Sequence, residues 1–247
     1  MSGSPAVLRS ALAALAARRP LLVASDYDGV LAPLVGDPSA AVPQPGVAEV
    51  LTRLATADGV TVALVSGRGV ADLQATSGLT GPFRWIGSHG AEFDGPIPGE
   101  LAERRDALAG RLAPLVSAVP GARLEVKPAS VAVHVREVVD RSAADDLLVH
   151  ARAVGDPSLT MKPGKEVLEI AVTDADKGSA LRRLAGELGA AATLYLGDDV
   201  TDEDAFRALG PGDVTVKVGD GETVADHRVL DPAAVVAALG TLADLLA

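Results

Sequence analysis

Short apolar runs rich in Val, Leu and Ile alternate along this chain with longer stretches in which apolar residues recur every three or four positions. In the first half, "PLLVAS", "VTVALVSG" and "FRWIGS" read as strands, with "GVAEVLTRLATADG" and "GVADLQATSG" as the helices between them. The rhythm returns near the C-terminus as "KGSALRRLAGELG", "ATLYLGDD", "TDEDAFRALG" and "DVTVKVG", followed by a helix from Pro232. Alternation of this kind predicts βαβ units on a parallel sheet. The opening "MSGSPAVLRSALAALAARRP" has Arg9 inside its apolar run and Arg18-Arg19 at its close, which predicts an amphipathic helix rather than a signal peptide.

Between residues 93 and 172 the rhythm changes. "GELAERRDALAGRLAPLVSAV" reads as a helix, "ARLEVKPASVAVHVRE" as a hairpin turning at "KPAS", "DRSAADDLLVHARAVG" as a second helix, and "LTMKPGKEVLEIAV" as a second hairpin turning at "KPGK". This order predicts a small α+β module with an antiparallel sheet, entered through the Pro- and Gly-rich "DGPIPGE". The expected division is a core of residues 1–92 and 173–247 with residues 93–172 inserted into it.

Composition narrows the functions open to such a chain. Its 247 residues are 48% hydrophobic but only 2% aromatic, so the core has to be built from Ala, Val and Leu, as suits helices on buried parallel strands. A net charge of −11 repels nucleic-acid phosphates and anionic lipid. With no cysteine there is no disulfide, thiolate zinc site or thiol nucleophile. No segment is apolar over the roughly 18 residues that a membrane span needs. The expectation is a soluble cytoplasmic protein, working as a monomer, with no nucleic-acid or membrane partner.

Ligands of open parallel sheets gather beyond the carboxyl ends of the strands. The residues expected there are Asp26 and Asp28 of "SDYDGVL", Ser66, His89, and Asp198, Asp199 and Asp202 of "GDDVTDED". Carboxylates crowded at one edge repel one another unless a cation neutralises them, and Mg2+ accepts such ligands. An EF-hand is excluded, because counted from Asp26 the glycine is fourth rather than sixth and the twelfth residue is Asp37 rather than Glu. An aspartate beside Mg2+ can attack phosphorus, and an acid two residues on can protonate the departing alkoxide and later activate water. Asp26 fits the first role and Asp28 the second. Ser66 and Lys177 are candidate donors to the phosphoryl oxygens. Lysine is rare, with five in the chain, and four of them (Lys127, Lys162, Lys165 and Lys177) fall between 127 and 177, which suggests anion handling there. Lys162 itself reads as a surface residue ahead of a turn proline.

Taken together and in this order, "DYDGVL", "VSGR", "DKG" and "GDDVTDEDAF" resemble the four motifs of the haloacid-dehalogenase-like phosphotransferases. "GSHGAEF", "LEVKPASVAVHVRE" and "GKEVLEI" narrow the resemblance to the trehalose-6-phosphate phosphatases. That resemblance implies an α/β, Rossmann-like core with an inserted α+β cap of type C2. It implies Mg2+ as cofactor, bound by Asp26, the Asp28 carbonyl and Asp198 with Asp202 supporting. It also implies a phosphoryl site at Ser66 and Lys177 bordered by Arg68, and sugar recognition by Glu125, Lys127, Arg136, Lys165 and Glu169; His89, which follows a strand and sits between glycines, is expected to line the site. The chain departs from the family pattern at Ala171 and Val172, where Arg-Pro is usual. The alternatives are a phosphatase of another disaccharide phosphate and a sugar-phosphate-binding regulator without catalysis.

Overall fold

The computed structural model describes residues 5–154 and 159–247. The chain divides into two units, one running to Gly95 and resuming at Ala175, the other Pro96–Asp174. The first unit is built on seven strands: β1 (Leu21–Ser25), β2 (Val60–Val65), β3 (Arg84–Gly87), β4 (Glu92–Phe93), β9 (Ala192–Gly197), β10 (Val214–Val218) and β11 (His227–Val229). They lie in the order β11-β10-β9-β1-β2-β3-β4, all parallel except the β3–β4 pair.

Continuous apolar strands are what a sheet covered on both faces requires. Every residue of β1 and of β9 is buried, and the two-residue period sorts their side chains. Leu21, Val23, Val62, Leu64, Leu194 and Leu196 point to one face, into a layer completed by α1 (Pro5–Ala16), α2 (Val47–Thr56), α3 (Val70–Ser77) and α8 (Pro232–Leu246). Leu22, Ala24, Ala63, Val65 and Tyr195 point to the other, against α6 (Lys177–Leu188) and α7 (Asp202–Ala208). The chain leaves β1 toward β2 on one side and later supplies β9 on the other. The crevice where that order reverses opens at the carboxyl ends of β1 and β9.

The second unit has its own core. A four-stranded antiparallel sheet, β5 (Arg123–Lys127), β6 (Ser130–His134), β8 (Val167–Ala171) and β7 (Thr160–Gly164) in that spatial order, packs one face on α4 (Gly99–Ser117) and α5 (Arg141–Val154). Leu108, Leu112, Val131, Val133, Leu147, Leu168 and Ile170 fill that layer, and the unit contains no Phe, Tyr or Trp. The chain's one tryptophan, Trp85, lies in β3 with its ring 6.1 Å from that of Phe83.

The strand and helix pattern expected from the sequence is present, with differences that have local causes. The second hairpin turns at Lys165-Glu166, at the very end of "KPGK" and one residue beyond it, since Lys162, Pro163 and Gly164 are paired with Glu169, Leu168 and Val167. Pro163 can stand in β7 because that strand is at the sheet edge, where one missing N–H breaks no ladder. Glu166 takes the left-handed conformation of the turn. Lys162 is exposed, as expected, but it is a strand residue opposite Glu169 rather than the residue ahead of the turn. The short strands β4 and β11 are too brief to show a period, and β4 keeps Phe93 in the core sheet opposite Ile86. The first four residues of the opening stretch and Gly155, the last residue of the second expected module helix, lie outside the described residues.

Leu112→Ala removes a fully buried side chain from a layer made of aliphatic groups alone. It should cost the second unit about 2–5 kcal/mol, read as a lower urea midpoint in far-ultraviolet circular dichroism; an unchanged midpoint would show that this layer does not hold the unit together.

Candidate active site

The site begins where β1 ends. The Asp26 amide donates to the Leu196 carbonyl at 2.9 Å, so Asp26 is the last residue locked between β1 and β9. The chain then folds back on itself. The Tyr27 carbonyl accepts from the amides of Leu31 and Ala32, each at 2.9 Å, and the buried Tyr27 hydroxyl donates to the Ala41 carbonyl at 2.8 Å. Gly29 sits in this turn at φ +77°, and a Cβ placed on it would lie 2.0 Å from Asp198 Oδ2. Any larger residue would push the Asp198 carboxylate out of its place.

Asp26 is 5% exposed. Its Oδ1 accepts from the Tyr27 amide at 2.6 Å, and its Oδ2 from Lys177 Nζ at 2.6 Å. The same ammonium donates to Asp202 Oδ1 at 2.8 Å. Asp202 is buried and saturated: Oδ1 also accepts from the Tyr195 hydroxyl at 2.6 Å, and Oδ2 from the amides of Asp198 and Asp199 at 2.9 and 3.0 Å. Lys177 reaches this point because it opens α6, whose N-cap is Asp176 in a capping box with Ser179. Gly178 lets α6 close on α7, since a Cβ there would lie 2.4 Å from the Asp204 carbonyl. A second buried lysine, Lys217 of β10, donates to the Asp198 carbonyl.

On the other side of β1 the residues after β2 form a separate group. The Ser66 hydroxyl accepts from the Arg68 amide at 3.1 Å. Arg68 grips Asp28 with two hydrogen bonds, Nε to Oδ2 at 2.7 Å and Nη2 to Oδ1 at 2.8 Å, and also reaches Asp72 and the Pro38 carbonyl. His89 stands against Gly67, where a Cβ would lie 2.6 Å from His89 Cε1.

The electrostatics favour a cation. Carboxylate oxygens of Asp26, Asp198 and Asp202 all lie within 4.8 Å of one another. Burial pushes Asp26 up to about 8, opposed by Lys177 and reinforced by Asp202. Burial, with the charges of Asp202 and Asp199, pushes Asp198 up to about 6. Asp199 is held below the usual range in spite of its burial because the Thr201 hydroxyl donates to it. Four acids thus face two buried ammoniums, Lys177 and Lys217, and two of the acids resist ionisation. An all-oxygen set carrying surplus negative charge suits a hard divalent cation such as Mg2+.

In the second unit, the sheet face away from the helices is polar. By register it carries Arg123, Glu125 and Lys127 of β5, Ser130 and His134 of β6, Glu169 and Ala171 of β8, and Lys162 of β7. Lys127 Nζ donates to Glu169 Oε2 at 2.8 Å and Ser130 Oγ to Oε1 at 2.6 Å, while His134 Nε2 lies 2.7 Å from Glu125 Oε2. Burial works against ionising Glu169, but these donors outweigh it and hold its carboxyl below the usual range. Of the sugar-site candidates, Glu125, Lys127 and Glu169 share this face. Lys165 stands in the β7–β8 turn and Arg136 is exposed beyond the end of β6. Two alanines lie on the same face, Ala171 between Ser130 and Thr160 and Ala132 between Glu125 and Glu169.

Three contributors escaped the sequence reading. Lys217 and Tyr195 are polar residues inside apolar strand runs, a signal that could have singled them out. Glu92 follows "GSHGA" and is 5% exposed, and only its contacts show what it does.

Comparison with known proteins agrees with this arrangement. The trehalose-phosphatase family profile matches residues 24–229. A trehalose-phosphate phosphatase of Mycobacterium marinum is 35% identical over 241 residues, covering 90% of this chain and 61% of the relative. Another, from Mycolicibacterium paratuberculosis, is 39% identical over 216 residues, covering 81% and 54%. The chain thus spans little more than half the length of these curated relatives. The solved trehalose-6-phosphate phosphatase of Aspergillus fumigatus superposes with a TM-score of 0.75 at 28% identity, over 98% of this chain and 99% of that one. Among the described residues no helix is long and apolar enough to cross a membrane.

Two outcomes follow from the acid cluster. Because a cation must displace the protons that Asp26 binds below about 8 and Asp198 below about 6, affinity for Mg2+ should fall by about tenfold per unit below pH 8 and more steeply below pH 6. Calorimetry in buffers of different ionisation enthalpy would show the released protons; a constant affinity between pH 5 and 7 would refute it. Gly29→Ala should weaken Mg2+ binding by at least about tenfold, by displacing Asp198; unchanged binding would mean that Asp198 is not a ligand.

Proposed function

Because the chain belongs to the trehalose-phosphatase family, we propose that it hydrolyses trehalose 6-phosphate to trehalose and phosphate, with Mg2+ and through a phosphoryl group carried on Asp26. The observation that carries this reading is the placement of Asp26: a buried carboxylate at the end of the central strand, held from both oxygens, with a shared ammonium and two further acids around it.

In this reading an Asp26 oxygen attacks phosphorus and the bond to the sugar oxygen breaks. Asp28 gives its proton to the departing alkoxide. It then takes a proton from water as that water attacks the phosphorylated Asp26, which releases orthophosphate and restores the carboxylate. Arg68 has to loosen its two-pronged hold for Asp28 to carry a proton, since that pairing favours the carboxylate. Lys177 limits the repulsion between Asp26 and an anionic phosphoryl group, and Ser66 offers a hydroxyl donor to it. Asp26, the Asp28 carbonyl and Asp198 would hold Mg2+, with Asp202 in support; the bound ion supplies positive charge to the phosphoryl oxygens.

The polar face of the second unit, here taken as a cap of type C2, is assigned to the sugar. Glu125, Lys127 and Glu169, with Arg136 and Lys165 at its margins, offer charge-assisted hydrogen bonds to hydroxyls. Ala171 favours a second reading, a related disaccharide phosphate, because the face offers no cation at that position. A cytoplasmic, monomeric protein with no nucleic-acid partner belongs to the same reading.

The test is phosphate release from trehalose 6-phosphate, sucrose 6-phosphate and glucose 6-phosphate, each with Mg2+ and with a chelator. Chelator-sensitive preference for trehalose 6-phosphate is expected, and preference for another ester would move the error to the polar face. Asp26→Asn should reduce turnover at least about a thousandfold with the fold intact; full activity in that variant would overturn the chemistry.

A further inference from the structure

We infer that Glu92 is a positioning residue for the phosphoryl site, a carboxylate clamp that fixes the Ser66–Gly67–Arg68 loop without touching substrate. The inference rests on the reading that Ser66 and Arg68 serve the phosphoryl group and the acid Asp28.

Residues 88–90 take an unusual path. Ser88 and His89 are consecutive non-glycine residues in the left-handed region, at φ +49° and +56°, and Gly90 follows at +110°. Such a segment persists only where its surroundings enforce it. Part of the enforcement is main chain: the Ser88 amide donates to the Arg68 carbonyl at 2.7 Å and the His89 amide to the Ser66 carbonyl at 3.0 Å. The loop that carries Ser66 and Arg68 is therefore stitched to this left-handed turn, and it is placed only as well as the turn is.

Glu92 supplies the rest. Paired opposite Gly87 in β4, it lies buried below the turn, and its Oε2 accepts from the Ser88 hydroxyl at 2.7 Å and from the Val70 amide at 3.2 Å. Val70 opens α3, and its N-cap Gly69 has no side chain to satisfy a free amide. The Glu92 charge thus caps α3 from outside, where the helix end favours an anion. One oxygen joins the end of the Ser66–Arg68 segment to the turn beside it. Gly87 makes room for the junction, since a Cβ there would lie 2.5 Å from the Val70 nitrogen and 3.0 Å from Glu92 Oε2. The carboxylates of Asp26, Asp198 and Asp202 stand apart from this group, beyond β1 and β9, and only Asp28 is tied to it, through Arg68.

The substitutions are Glu92→Ala, Glu92→Gln, which keeps an acceptor but loses the charge, and the milder Ser88→Ala, which removes one of the two donors. Three quantities are measured on the whole chain: the dissociation constants of inorganic phosphate and of Mg2+, and amide hydrogen exchange across 66–70 and 87–90. The expected result is weaker phosphate binding, by about tenfold in Glu92→Ala and less in the other two, faster exchange confined to those peptides, and an unchanged Mg2+ constant. Unchanged exchange and phosphate binding would overturn the clamp. So would phosphate and Mg2+ affinity falling together with the melting temperature, which would mark a residue needed only for folding. If the wild type hydrolyses no phosphate ester, the proposed reaction fails, and the exchange data still decide whether Glu92 fixes the loop.

Discussion

The first unit is organised around the buried ammonium of Lys177. Lys177 sits almost out of water between Asp26 and Asp202, and a charge in that position is tolerable only while both carboxylates remain within hydrogen-bond distance. The demand propagates outward. The first residue of α6 has to meet the ends of β1 and β9, so the helix needs a cap at Asp176 and a glycine at 178 where it closes on α7. Asp202 has to be held on its other sides, which Tyr195 and two backbone amides accomplish.

That solution leaves the site electrically unfinished. Lys177 balances only part of the negative charge, and Asp26 and Asp198 both resist ionising. The remaining deficit is the feature a divalent ion can exploit, because the carboxylates stand close to one another. The polar sheet of the second unit handles charge differently. There Lys127, Ser130 and His134 pair with Glu169 and Glu125 on a half-exposed surface, where groups can exchange partners with water at low cost.

Much of this was legible in the amino-acid sequence. Strands buried on both faces must be continuously apolar, so β1, β2 and β9 declared themselves, and the acids after them marked the sheet edge that the structure brings together. Legibility ended where a residue's meaning comes from a distant partner. Glu92 is one acid among many until the fold sets it beneath Val70 and Ser88, and Lys217 matters through a carbonyl on the neighbouring strand's loop. The β7–β8 turn was misplaced by about two residues because proline signals turns in general, whereas the edge of a sheet tolerates it. The opposition of Lys162 and Glu169 follows from that register and could not be seen without it.

The aliphatic makeup of the second unit has an optical consequence. All six aromatic side chains belong to the first unit, with Trp85 among them as the single indole. Near-ultraviolet absorbance and intrinsic emission therefore arise from the first unit alone. A dye-free melt followed at the indole band would trace the loss of the Rossmann-like sheet, while the second unit brings no chromophore of its own to the signal.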